Sequence, residues 1–200
     1  MSIFYTRNRR FNTLNICTYK YKCNLHLTTK RRCDRIEKTA FGVYMKITFF
    51  GHSNFSESKK YEPIMLELLE RLVGNSRVEM LLGEYGAFDN FAYRCSKKFK
   101  ETHGGVSLAF VTPYMTLEYQ KNHLEYQKTR FDTIIYPEIE DKPKRVAITY
   151  RNRYMAECAD IVIAYVHRRG GAYDAVKYAE KKGKKIYNLA EINMLRNIDL

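Results

Sequence analysis

Nowhere do the 200 residues assemble the roughly 18 consecutive apolar residues that a membrane helix needs. A spanning helix is excluded on that ground, and no membrane partner is expected. The opening MSIFYTRNRR has no apolar h-region, so no secretory leader is expected either. Cysteine is scarce: there are five, at positions 17, 23, 33, 95 and 158, odd in number and irregular in spacing. They do not make a disulfide framework, and they fit reduced thiols in a cytoplasmic protein. A metal signature is also missing. Cys17, Cys23, His26 and Cys33 lie near one another in the chain but contain no tight C-x2-C pair of the kind zinc sites use. Neither a metal nor a cofactor is expected.

Apolar side chains are plentiful, at 45% of the residues, which supports a globular fold rather than wholesale disorder. The formal net charge of +13 is unevenly placed. Residues 1 to 44 carry ten Lys plus Arg against two acids, and the remaining 156 residues carry only +5. The body is thus basic enough for an anionic metabolite without requiring nucleic acid. Residues 1 to 44 show no sustained helical or alternating periodicity. Three readings of this segment stand: residues upstream of a natural start at Met45, a basic arm that binds nucleic-acid phosphates and stacks bases on its Tyr and Phe, and a zinc set. The first, a tail without function, is favoured. The domain proper is expected over residues 45 to 200.

The densest stretch is Arg151 to Asp174, RNRYMAECADIVIAYVHRRGGAYD. Asp160 to Val166 is an apolar, β-branched run of the kind found in strands covered on both faces. Gly170 and Gly171 follow a basic loop and open a segment with Ala175, Val176 and Ala179 at helical spacing. Backbone N–H groups at a helix start, free of a nearby Cβ, suit an anion. Arg151 and Arg153 stand ready as cations. Upstream, strands are expected at Lys46 to Phe50, Val78 to Leu82, Val106 to Val111 and Asp132 to Tyr136, and downstream at Lys184 to Leu189. Helices are expected at Tyr61 to Val73, Ala87 to Glu101, Arg145 to Ala159 and Gly171 to Lys182, with a Tyr-rich helix or loop over Thr116 to Phe131. Alternation of this kind predicts an α/β fold with a mainly parallel sheet and helices on both faces. Right-handed crossovers would then gather Gly51, Gly83 to Gly86 and Gly170-Gly171 at the carboxyl edge.

These motifs, in this order over residues 45 to 190, resemble the SLOG superfamily of Rossmann-like, doubly wound proteins. The likeness is greatest to its YpsA-like branch, the DUF1273 group. It is carried by Gly51-His52 after the first strand, Gly83-x-x-Gly86-x-x-Asp89 after the second, Arg151-Asn152-Arg153-x-Met155, Asp160 and Gly170-Gly171. The resemblance implies a nucleotide or nucleotide-derived ligand at the strand edge. Related LOG phosphoribohydrolases cleave an N-glycosidic bond, and their motifs R-K-x-x-M and P-G-G-x-G-T-x-x-E are matched here at Arg151, Met155, Gly170 and Gly171. Arg169, Tyr173, Asp174 and Lys177 depart from the second motif. Lys177 replaces the glutamate, and a hydrolysis through an oxocarbenium-like state needs a carboxylate near the sugar.

The expected ligand-binding set is Gly51, His52, Ser53, Gly83, Gly86, Arg151, Arg153, Gly170 and Gly171. For a hydrolase, Glu84 and Asp89 are the acid/base candidates. Each has a plainer reading: Arg153 can pair with Glu157 one helical turn on, Asp89 can serve the start of its helix, and Glu84 can be a solvated loop residue. The function expected is nucleotide-derivative sensing or processing. The alternatives are N-glycosidic or nucleotide hydrolysis and nucleic-acid binding through the basic arm. Tyr114, Tyr119 and Tyr126 are expected to cover the pocket or to pack between subunits of a homo-oligomer.

Overall fold

Successive side chains on a strand point to opposite faces, and here both faces are apolar. In the computed structural model, which describes the backbone of His26–Thr29 together with residues 44–137 and 139–191, Ile47, Phe49, Met80, Leu82, Leu108, Phe110, Ile161 and Ile163 enter one buried cluster. Their neighbours Phe50, Leu81, Ala109, Val111, Val162 and Ala164 enter a second. Two cores around one sheet require helices on both sides.

The strands are β1 (His26–Thr29), β2 (Tyr44–Gly51), β3 (Arg77–Leu82), β4 (Val106–Val111), β5 (Thr133–Tyr136), β6 (Ile161–Tyr165) and β7 (Lys185–Asn188). They pair in the order β1-β5-β4-β3-β2-β6-β7, every pair parallel. The six strands from β2 onward are those expected from the sequence. The α/β prediction of a doubly wound, Rossmann-like parallel sheet is therefore met. β1 is an addition: four residues of the amino-terminal segment extend the sheet beside β5. Cys17, Cys23 and Cys33, three of the four zinc candidates, lie outside the described residues.

Helices α1 (Ser58–Val73) and α2 (Ala87–Thr102) cover the first face. Tyr61, Met65, Leu68 and Leu69 of α1 and Phe88, Phe91, Ala92, Cys95 and Phe99 of α2 are buried there. Helix α1 begins a turn earlier than expected. Pro63 lies inside it, where a missing N–H removes one backbone bond. Two short helices, α3 (Leu117–Tyr119) and α4 (Glu125–Lys128), flank a π-type turn at Gln120–Leu124 and resolve the Tyr-rich stretch. Helices α5 (Ala147–Cys158) and α6 (Gly171–Lys181) cover the second face. The small side chains of Ala109, Ala156, Ala164, Ala175 and Ala179 are all buried there, which lets helix backbones approach the sheet. Cys95 is a free, buried thiol.

From β2 the chain steps through β3, β4 and β5 in one direction, then returns to place β6 on the other side of β2. The reversal makes a crevice beyond the carboxyl ends of β2 and β6, where open α/β sheets take their ligands. At the opposite end the same strands are pinned. The Lys46 N–H donates to Asp160 Oδ2 at 2.8 Å, and the Asp160 N–H donates to the Lys46 carbonyl at 2.8 Å. Asp160 therefore stands at the amino ends of the strands, away from the crevice.

Candidate functional site

A cavity of about 280 Å³ occupies the crevice, and its wall includes Gly51, His52, Ser53, Gly83, Asp89, Arg151, Gly170 and Gly171. Eight of the eleven residues nominated from the sequence are thus brought together. Ile148, Arg151, Asn152 and Met155 line it from α5. Their spacing is one helical stripe at i, i+3, i+4 and i+7.

Arg151 is the most deeply buried charged side chain among the described residues, with only 2% of its surface exposed. Its Nη1 donates to the Val111 carbonyl at 3.4 Å, and its Cζ lies 5.1 Å from the centre of the Tyr85 ring. Its Nε has no hydrogen-bond partner. Burial lowers the guanidinium pKa from its ordinary value, and the charge of Asp89 works against that shift. Asp89, in the first turn of α2, accepts the Tyr85 N–H at 2.6 Å. Burial raises its carboxyl pKa, opposed first by Arg151 and then by this N–H. A buried cation with a spare donor, faced by one carboxylate, is equipped to meet a further negative group.

The opposite wall is the start of α6. Gly170 has a φ of 149°, a conformation that glycine adopts without strain. A Cβ on Gly170 or Gly171 would meet nothing within 4 Å, so the space over this helix start is open. Arg168 and Arg169 flank it in the cavity wall, and Arg168 Nη2 donates to Asn54 Oδ1 at 2.7 Å. His52 locks the β2 and β6 loops together. It is 6% exposed, and its Nε2 accepts the His167 N–H at 3.2 Å. Burial, then His167 and Arg168, lowers its pKa from 6.5.

Three nominated residues fall elsewhere. Glu84 is turned out of the cavity: it has a φ of 56°, in the left-handed region, and its carboxylate is ion-paired with Arg130. That pairing corrects its nomination as an acid or base of the pocket. Arg153 is exposed on another face of α5, with its Cζ 5.2 Å and 5.5 Å from the Tyr150 and Tyr178 rings, and it does not line the cavity. Neighbours two apart on a helix point in nearly opposite directions, so Arg151 and Arg153 cannot share one pocket. Gly86 is the residue before α2, with a φ of 136°; a Cβ there would come within 2.8 Å of Ser53 Cα. It permits the close approach of two loops without lining the cavity. Asp174 and Lys177 are also outside the wall.

Sequence reasoning did not single out Tyr85, Asn152, Arg168 or Arg169 as site residues. The signal for Asn152 was the helical stripe through Arg151, and for the two arginines it was their position directly before Gly170. No group of His, Cys, Asp and Glu suited to a metal occurs among the described residues. Among the same residues, no helix is long and apolar enough to cross a membrane.

No family model matches the chain, and no curated protein matches it. Solved structures do. DNA processing protein A (DprA) from Streptococcus pneumoniae superposes with a TM-score of 0.51 at 16% identity, covering 72% of this chain and 49% of its own. DprA from Helicobacter pylori, described for its single-stranded DNA binding mode, superposes with a TM-score of 0.50 at 15% identity, covering 71% and 63%. The chain thus spans 49% and 63% of the length of these two proteins, and what it shares with them is the Rossmann-like α/β fold.

Proposed function

We propose that the cavity binds a nucleotide or nucleotide-derived ligand through its phosphate, and that the domain senses or processes that ligand. In this reading the phosphate sits over the start of α6 and its charge is met by Arg151. The observation that carries it is the buried guanidinium with an unpartnered Nε in the wall of the same cavity as an open helix start. Helix N–H groups and a desolvated arginine are complementary to a phosphate oxygen. The position of the cavity at the reversal of strand order supports the same reading, as does the resemblance to the YpsA-like branch of the SLOG superfamily. The test is thermal stabilisation by a panel of nucleotides. A ligand at 100 times its Kd stabilises by about 2.7 kcal/mol, and Arg151→Met should abolish that gain. Stabilisation that survives in Arg151→Met moves the ligand elsewhere.

Single-stranded nucleic acid is the second reading. It is favoured by the fold shared with the Helicobacter pylori protein described for that binding, and by Arg168 and Arg169 at the cavity wall. Anisotropy of a labelled oligonucleotide, titrated at several salt concentrations, separates it from the first, because phosphate contacts give a linear fall of log affinity with log salt. Repeating the titration without residues 1 to 25, which leaves β1 and β2 in place, isolates the contribution of the preceding basic residues. The N-glycosidic hydrolase reading has less support: a two-carboxylate mechanism finds Asp89 in the wall but Glu84 held by Arg130. Release of free base from a nucleotide would revive it.

A further inference from the structure

We infer that Tyr85 is the surface on which the base of the bound ligand stacks, an assignment that rests on the phosphate reading above. Tyr85 is 37% exposed, among the most exposed large hydrophobic side chains described, and it lies in the cavity wall. The residue is nonetheless held through both its backbone and its side chain. The backbone N–H is fixed by Asp89 at 2.6 Å, and the hydroxyl meets the Tyr119 hydroxyl at 3.3 Å. The Arg151 guanidinium lies over the ring at 5.1 Å. Tyr119 in turn stacks on His123 at 4.8 Å with an interplanar angle of 29° and meets Tyr114 edge-on at 5.5 Å.

A fixed, partly exposed ring next to a site for a negative group matches one ligand chemistry, a flat heteroaromatic base joined to a phosphate. Every base has a π-face and stacks on tyrosine. Asn152, in the same wall, offers both a donor and an acceptor for a base edge. A residue needed only to cover Arg151 could be any apolar side chain, whereas stacking needs an aromatic one. That difference can be measured.

The experiment is calorimetric titration of the full chain with adenosine 5′-monophosphate and with ribose 5-phosphate, which lacks the base. The wild type is expected to prefer the nucleotide by about 10-fold or more, the equivalent of one stacked base. Tyr85→Phe should keep that preference. Tyr85→Leu should lose that preference and bind the two about equally. Equal wild-type affinity for the two probes overturns the stacking assignment and leaves the phosphate site standing. Binding of neither probe overturns the phosphate reading and this one with it. A leucine variant that retains the preference places the base elsewhere, and one that also loses ribose 5-phosphate assigns Tyr85 to the phosphate; both overturn the inference. Should the leucine variant fail to fold, the wild-type comparison and Tyr85→Phe decide, since loss of the preference in Tyr85→Phe contradicts a role for the ring.

Discussion

The guanidinium of Arg151 occupies the space that a side chain on Gly83 would fill: a Cβ there would lie 2.7 Å from its Cζ, and closer still to Nη1. The end of β3 and the middle of α5, 68 positions apart in the chain, are thereby fitted to one another at the floor of the cavity. Gly83→Ala is the direct test. The added methyl must displace Arg151 or the strand end, an overpacking expected to cost about 1–3 kcal/mol. Urea denaturation should show that loss together with weakened nucleotide-induced stabilisation. Unchanged stability with full ligand response would show that Arg151 moves aside freely and is not set by this contact.

This relationship also marks where the sequence stops being informative. The strands were legible because each is a short apolar run bounded by Gly, Pro or charged residues, and three separated glycine turns could be assigned to one sheet edge from crossover handedness alone. Strand order was not legible, since the return from β5 to β6 depends on long-range pairing that no local pattern encodes. Arg153 was misplaced although its helix was correctly expected, because the periodicity that puts Ile148, Arg151, Asn152 and Met155 on one face puts Arg153 on another. Glu84 was misplaced for a different reason. A single residue at positive φ redirects a side chain without leaving a trace in hydrophobic spacing.

Glu84→Gln separates structure from binding at that position. The carboxylate is paired with Arg130, whose guanidinium also lies 4.0 Å from the centre of the Tyr93 ring, and both side chains are largely buried. Burial raises the Glu84 pKa, with the charge of Arg130 opposing it. Removing the charge leaves Arg130 uncompensated, so stability should fall by about 1–3 kcal/mol. Nucleotide affinity should be unaltered. Intact stability with lost binding or turnover would restore Glu84 to the pocket.

Asp160→Ala should have the same dissociation of effects from the far end of the sheet. It leaves the part-buried Lys46 N–H without its acceptor, and the lost hydrogen bond costs about 1 kcal/mol. The site lies at the amino ends of β2 and β6, so ligand response, compared below the lowered melting point, should be that of the wild type. A selective loss of binding would mean that Asp160 reaches the ligand.

His52 gives the fold a pH dependence whose sign can be worked out. Its folded pKa is depressed below 6.5, chiefly by burial and then by His167 and Arg168, so between the two values the unfolded chain binds the extra proton. The stability this group contributes is therefore fully present above its unfolded pKa and is lost as pH falls through the folded one. The structural reason is that protonated Nε2 can no longer accept the His167 N–H, the bond that joins the β2 and β6 loops beside the cavity. His52→Gln supplies an amide oxygen as a non-titrating acceptor. Comparing thermal unfolding at about pH 7.5 and about pH 5.5, the wild type should lose more stability than His52→Gln. Equal losses in the two proteins would mean that the loop contact does not depend on the charge state of His52.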